Sequence, residues 1–522
     1  MKHTDSLPAA AKHISGRCIK AASDLSCARA WLNDCLNNHD HGPKEAATRP
    51  SRLVAVGTVD GSKPIKIIDD SNPGDKYLAL SYCWGRSSDT LRTTAETLDT
   101  FHTSIPWDCL PKTFQDAIHI ARDFGTGYIW IDSLCIVQDS KDDWDAESAK
   151  MADIYNGALF TVMAASASHS HGGCFQDRIA AKETVALPYT DASGKTELSV
   201  FVSRTLPGYE EVVLRGPLFK RGWVFQERLM SKRKLIFGHD QTYWECNTVF
   251  LSESNIQSRD IFAHLHRHRI DALRAFPDPL YEDSIRVLDP EESLARLWVD
   301  LVCEYSLCTL TYDTDRLPSL SGLARTFATK SGGAYAAGLW QDQMPYSLAY
   351  YVSNRPRETC KRNYCAPSWS WASTLGQISF FSEEWDLGNF ELEVLSIDIK
   401  LAGRDPYGRV KPGSSMCVRG RLCAGVLVSF EGYDECVFLE TEDGCRRGKA
   451  WLDERGDGKD LPADITCLEV STILYGSGVC LLLQRTEKDG QFQRIGMVEL
   501  DDLSQDEDYL FYGLEKQVIV LV

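Results

Sequence analysis

Between Tyr77 and Ala165 the chain switches period four times. "YLALSY" is a short run of strand-forming residues. "LPKTFQDAIHIARDFG" then sets Phe114, Ala117, Ile118 and Ala121 at helical spacing, with Pro111 placed to open the helix and Gly125 to close it. "GYIWID" returns to a short apolar run, "DDWDAESAKMADIYNGA" puts Trp144, Met151, Ile154 and Tyr155 on one helical face, and "ALFTVMAA" is apolar again. Short apolar strands separated by amphipathic helices satisfy their hydrogen bonds as a parallel sheet with right-handed crossovers. Upstream, "RLVAVGTV" and "KPIKII" read as a strand pair. The fold class predicted is therefore α/β with a parallel sheet core.

In open parallel sheets, ligands bind beyond the carboxyl ends of the strands. Three loops leave those ends here: "SYCWGR", "DSLCIVQDS" and "SASHSHGGCF". They bring Ser81, Tyr82, Cys83, Trp84, Gly85 and Arg86, then Asp132, Cys135, Gln138 and Asp139, then His169, His171 and Cys174. Any one of these could be a packing residue, but three such loops on one edge predict a small-molecule site. Glu147 lies three residues after Trp144 and four before Met151, so it falls on or beside the buried face of its helix. A carboxylate there is either a catalytic group with a raised pKa or half of a structural ion pair. A second dense segment, "RGWVFQERLMSKRKLIFGHDQTYWEC", crowds Arg221, Trp223, Gln226, Glu227 and Arg228 onto a short helix followed by a hairpin. That Gln-Glu-Arg run is either a buried polar network or part of a binding surface.

The rest of the chain bounds the alternatives. With 522 residues, more than one domain is expected. We divide it into an N-terminal helical segment (1–50), the α/β domain (51–250), a helical region (251–360) and a smaller β-rich C-terminal domain (361–522), in which Asp489-Gly490 marks a hairpin. A formal net charge of −18 argues against general nucleic-acid binding, and "HLHRHR" at 264–269 reads as a solvated basic helix face. No apolar run reaches the roughly 20 residues of a membrane span, and the N-terminus lacks the apolar core of a signal peptide. The 18 cysteines are scattered, which predicts reduced thiols and a cytoplasmic protein. Cys27, Cys35, His39 and His41 raise a zinc reading, but no ligand pair has a second pair at finger spacing, so no metal is expected. Phosphate-loop, dinucleotide-loop, nucleophile-elbow and HExxH motifs are all missing.

Several stretches together resemble the fungal heterokaryon-incompatibility (HET) domain proteins: "YLALSYCWG", the segment from "LPKTFQDAIHIA" to "ALFTVMAA", "GGCFQDR", "RGWVFQERLMSKRKLIFG" with "YWEC", and later "APSWSWAS". One departure is that Cys35 and His39 match the family's Cys-x3-His-x2-Cys while position 42 is Gly42. The resemblance implies a fungal intracellular protein of non-self recognition and regulated cell death. It also implies a remote likeness to Toll/interleukin-receptor (TIR) domains, hence a flavodoxin-like sheet. Some TIR domains hydrolyse NAD through a glutamate, and Glu147 stands where that glutamate would sit. On this reading NAD is a substrate, no resident cofactor is needed, Trp84 and Tyr82 stack bases, and Arg86 or Arg221 holds phosphates. Two other readings stay open. One is an enzyme of specialised metabolism with Cys83 or Cys135 as nucleophile and Glu147, His169 or Asp132 carrying protons. The other is a non-catalytic module that acts by self-association.

Overall fold

The structure is a computed structural model. It describes residues 21–41, 48–69, 75–85, 90–178, 185–190, 196–202, 206, 215–254, 290–354, 363–380, 390–429, 437–440, 445–454, 461–472, 478–501 and 510–522. The chain divides into two compact units, Met1–Arg274 and Ala275–Val522. Arg86 and the 264–269 segment lie outside the described residues.

The first unit opens with helix α1 (Ser26–Asn38), followed by the antiparallel pair β1 (Arg52–Ala55) and β2 (Lys66–Asp69). Then come β3 (Tyr77–Ser81), α2 (Leu98–Thr103), α3 (Lys112–Asp123) and β4 (Tyr128–Trp130). The segment between β4 and β5 (Thr161–Met163) holds the short helix α4 (Asp132–Cys135), α5 (Lys141–Ser148) and α6 (Met151–Gly157). A separate hairpin, β6 (Val185–Thr190) with β7 (Thr196–Val202), precedes α7 (Gly222–Met230) and the strands β8 (Arg233–Phe237), β9 (Thr242–Cys246) and β10 (Phe250–Ser252).

Eight strands form one sheet in the order β10-β9-β8-β5-β3-β4-β1-β2. The four central strands are parallel: β4 with β3, β3 with β5, and β5 with β8. Both edges are antiparallel, because β1 joins β4 head to tail and β8 leads into the β9 hairpin. Every residue of β3 and β5 is buried, as expected of strands covered on both faces. The predicted stripe of α3 is fully buried at Phe114, Ala117, Ile118 and Ala121, whose 0 % exposure fixes that helix against the sheet. The single helix expected over 142–157 is instead two, α5 and α6, which meet at Ala149 and Lys150. At the break, Lys150 turns its ammonium onto Ser51 and Glu147 rather than to solvent.

The second unit is built by itself from α8 (Pro290–Tyr305), α9 (Ser321–Ser331), the short ladders β11 (Tyr335–Ala336) with β12 (Leu339–Trp340) and β13 (Tyr350–Asn354) with β14 (Gln377–Phe380), and a second eight-stranded sheet. That sheet comprises β15 (Glu393–Asp398), β16 (Ser415–Ser429), β17 (Val437–Glu440), β18 (Arg446–Leu452), β19 (Ile465–Thr472), β20 (Gly478–Arg485), β21 (Gln491–Leu500) and β22 (Lys516–Leu521). The long strand β16 pairs with β22 along its first half, with β19 in its middle and with β17 at its end. The ring β16-β17-β18-β21-β20-β19 therefore closes on itself, which removes the open edges a flat sheet would leave. Gly490, at φ +69°, makes the predicted turn between β20 and β21. No described helix is long and apolar enough to cross a membrane.

Candidate active site at the carboxyl edge of the parallel strands

Strand β3 ends at Ser81, and the chain leaves it as a loop that the other two loops hold in place. Tyr82 is buried edge-on against the Phe114 ring, with centroids 5.0 Å apart. Trp84 is half-buried and donates its indole N–H to Asp132 Oδ2 at 2.8 Å, which ties the first loop to the second. Asp132 Oδ1 accepts the Ser133 amide at 2.7 Å. The first and third loops meet where Thr90 bonds both the Trp84 carbonyl (3.0 Å) and the Ser170 hydroxyl (3.1 Å). Gly85 sits at φ +90°, and a Cβ there would lie 2.6 Å from His169 Cβ. We expect Gly85→Ala to cost about 2 kcal/mol or more, from left-handed strain plus the clash. Unfolding in denaturant checks this, and His169→Gly in the same chain should recover only the clash portion.

Helix α7 lays two charged residues against this loop. Arg221, the residue preceding the helix, donates Nη1 to the Tyr82 carbonyl. Glu227 is 5 % exposed, and its Oε2 has no hydrogen-bond partner among the described residues, nor do the buried Ser81 and Tyr82 hydroxyls. Burial pushes the Glu227 carboxyl up to about 7. The Arg221 charge opposes that rise, and the Asp132 charge adds to it. Asp132 is also pushed above the ordinary carboxylate range by burial, against the stabilising indole of Trp84 and the Arg221 charge. Tyr82 and Tyr155 are raised well above the usual phenol range, chiefly by burial, with Asp132 acting on both. Ser81, Tyr82, Asp132, Tyr155, Arg221 and Glu227 thus share one electrostatic environment. A carboxyl half-protonated near neutral pH beside a second carboxyl can move a proton in either direction.

The structure separates the remaining predicted residues by role. Glu147 is buried at 1 % exposure, as its helical position implies, but a cation pairs with it. Its Oε1 accepts from the Ser51 hydroxyl (2.6 Å) and from Lys150 Nζ (2.8 Å), and Ser51 N lies 3.4 Å from Oε2. Glu147 thus pairs with Lys150 and ties α5 and α6 to Ser51, the residue before β1. We expect Glu147→Gln to destabilise by about 1–3 kcal/mol, toward the low end because Lys150 can turn into water. Thermal unfolding checks this, and an unchanged melting temperature with lost activity would return Glu147 to the site.

Cys83 and Cys135 are buried, and burial raises both thiols, Cys135 to about 12, which disfavours the nucleophilic thiolate. Gln138 donates to the Asp132 and Ile136 carbonyls and so braces the second loop. Arg228 and Lys234 both reach Glu245, at 3.5 and 3.0 Å, so Arg228 belongs to a buried network between α7 and the hairpin. Gln226 is buried beside it. Trp223 is half-buried, edge-on to Trp144 at 6.0 Å, while His169 and His171 are exposed. Tyr155 counted only as an apolar stripe residue in the sequence. Glu227 counted as a binding residue; its signal was a lone acid between Val224 and Leu229 on a short apolar helix.

Comparison with known proteins adds one finding. Residues 77–227 match the family model for the heterokaryon incompatibility protein (HET). No curated protein and no solved structure matches the chain. The matched span begins at the first residue of β3 and ends at Glu227, so the whole cluster just described lies in the part of the chain that is similar to the heterokaryon-incompatibility (HET) family.

Proposed function

We propose that the domain of residues 77–227 hydrolyses the N-glycosidic bond of a nicotinamide dinucleotide, and that this activity serves the regulated cell death with which the HET family is associated. The observation that carries the reading is Glu227, a buried carboxyl held near pKa 7 beside Asp132 at the carboxyl edge of a parallel sheet. Cleavage of that bond sends its electron pair to the pyridine nitrogen and leaves positive charge on the ribose carbon. An Asp132 carboxylate stabilises that charge as it develops. Water then attacks the ribose carbon, Glu227 takes its proton, and the products are nicotinamide, ADP-ribose and one proton released to solvent. The half-buried indoles of Trp84 and Trp223 supply stacking faces, and Arg221 supplies a cation for phosphate. The paired carboxyls support this chemistry better than a cysteine nucleophile, because both candidate thiols are buried and raised.

Nicotinamide release from NAD by the purified full chain, dilute and under crowding, tests the reading. Release should fall about 100-fold or more in Asp132→Asn, in line with losing a group that stabilises the transition state. No release from either preparation sinks it.

A further inference from the structure

Among the described residues, four metal-ligating side chains meet at a place away from the site above. They are Cys35, His39, His41 and Cys246, with one ligand atom from each lying within 4.8 Å of all the others. We propose that these four residues bind one zinc ion that fastens the N-terminal helix α1 to strand β9.

Local structure explains how the four come together. Cys35 lies in the last turn of α1, and His39 follows at i+4, so both face the same side of the helix end. At His39 the backbone leaves the helix in an extended conformation (φ −112°, ψ 129°), and this brings His41 back over Cys35. His41 Nε2 stands 2.9 Å from Cys35 Sγ. Cys246 is the last residue of β9, and its Sγ stands 3.5 Å from His39 Nδ1. A tetrahedral zinc centre, with Zn–S near 2.3 Å and Zn–N near 2.0 Å, has ligand-to-ligand edges of about 3.3–3.8 Å. The Cys246–His39 separation falls within that range, the Cys35–His41 separation is a few tenths of an ångström short of it, and no pair exceeds 4.8 Å, so a zinc ion would need shifts of about an ångström or less between ligand atoms.

Ligand chemistry selects the ion. Two thiolates and two imidazoles in a tetrahedral arrangement suit zinc, whereas magnesium and calcium want oxygen. All four positions are filled by protein, which leaves no open place for a reacting water and marks a structural centre. The surroundings fit as well. Arg233, opposite Cys246 in the β8–β9 register, donates Nε to Cys35 Sγ at 3.2 Å and so stabilises a thiolate. The Asp34 carboxylate lies 3.8 Å from the far nitrogen of His39, where it favours the tautomer that presents Nδ1 to the ion. The sequence alone argued against a metal because it lacked a second pair at finger spacing. The missing thiol comes instead from the far end of the domain.

The test is metal analysis of the full chain, purified without chelator and without a metal-affinity step. We expect about one zinc per chain in the native protein and in Cys109→Ser, whose thiol is exposed, against less than about 0.2 in Cys246→Ser and His41→Ala. Either variant could fail to fold, so the native protein carries a second readout. Exchange of zinc for cobalt(II) should give thiolate-to-cobalt charge transfer and the intense visible bands of a tetrahedral site. Chelation should lower the melting temperature by about 5 °C or more. Three results would overturn the proposal: folded native protein that takes up no zinc from one equivalent, a cobalt spectrum lacking charge transfer, or peptide mapping that finds a Cys35–Cys246 disulfide.

Discussion

Glu227→Gln should leave the domain of residues 77–227 folded and remove the hydrolase activity proposed for it. Glutamine copies the shape of a protonated glutamate, and the buried site already favours the protonated form. The stability effect has a definite sign. A glutamate near 4.5 in the unfolded chain and about 7 in the folded one binds more protons folded than unfolded between those values. Stability therefore falls as pH rises from about 4.5 to about 7 and is flat above. The full penalty on the ionised form is roughly 3 kcal/mol, from 1.36 kcal/mol per unit over the interval between the two values. The variant should match the native protein near pH 4 and melt several degrees higher at pH 8. Its activity should fall about 100-fold or more at pH 8, since it cannot take a proton, and the gap should narrow below about pH 7, where the native carboxyl is itself protonated. Melting curves at pH 4, 6 and 8 with one activity assay decide the matter. A variant that keeps full biological activity and shows no pH-dependent gain would make Glu227 structural and favour a non-catalytic, self-associating module.

The sheet was legible because its elements differ in period. β3, β4 and β5 are short apolar runs, α3 carries a clean stripe, and the alternation leaves parallel pairing as the economical topology. The antiparallel join of β1 to β4 was not legible, since nothing in four residues specifies a neighbour. The site was legible as a location and less so as a mechanism. Position relative to Trp144 and Met151 put Glu147 on the buried face correctly, but burial does not name a partner. Lys150 becomes that partner at the break between α5 and α6, which the sequence reading did not anticipate. In "QER", three polar residues share one short helix, and only tertiary structure separates them. Arg228 finds Glu245 across the hairpin, while Glu227 turns toward Ser81, Tyr155 and Asp132. The Cys246 contribution to the thiol–imidazole cluster was illegible for the same reason: its partners are close only through the fold.

Asp116→Ala should destabilise the domain by about 3–5 kcal/mol and disable the site without touching it. Asp116 is completely buried on α3, one position before the predicted stripe residue Ala117. Its Oδ2 accepts the backbone amides of Cys174 (2.9 Å) and Phe175 (3.1 Å), and Lys112 pairs with its Oδ1. Thr113 adds two more bonds to the same loop: its hydroxyl accepts the Gly173 amide at 3.0 Å, and its own amide donates to the Ser170 carbonyl at 3.0 Å. The first turns of α3 thus clamp residues 170–175. Gly173 is required there, because a Cβ would lie 2.8 Å from Asp116 Oδ2 and its φ is +77°. Removing the carboxylate leaves the buried Cys174 amide and the partly buried Phe175 amide without acceptors, at about 1–3 kcal/mol each. Lys112 adds little to the loss, since it is half exposed and can turn to water. The functional consequence runs through the third loop. His169 and Ser170 pack against Gly85 and Thr90, and Thr90 holds the carbonyl of Trp84, whose indole bonds Asp132. A loosened clamp should therefore lower activity per folded molecule, where a purely global loss of stability would leave it intact at low temperature. Asp116→Asn keeps one acceptor oxygen and should lie between the native protein and the alanine variant in both measurements. A loss below about 1 kcal/mol for Asp116→Ala would mean that Thr113 alone suffices to hold the loop.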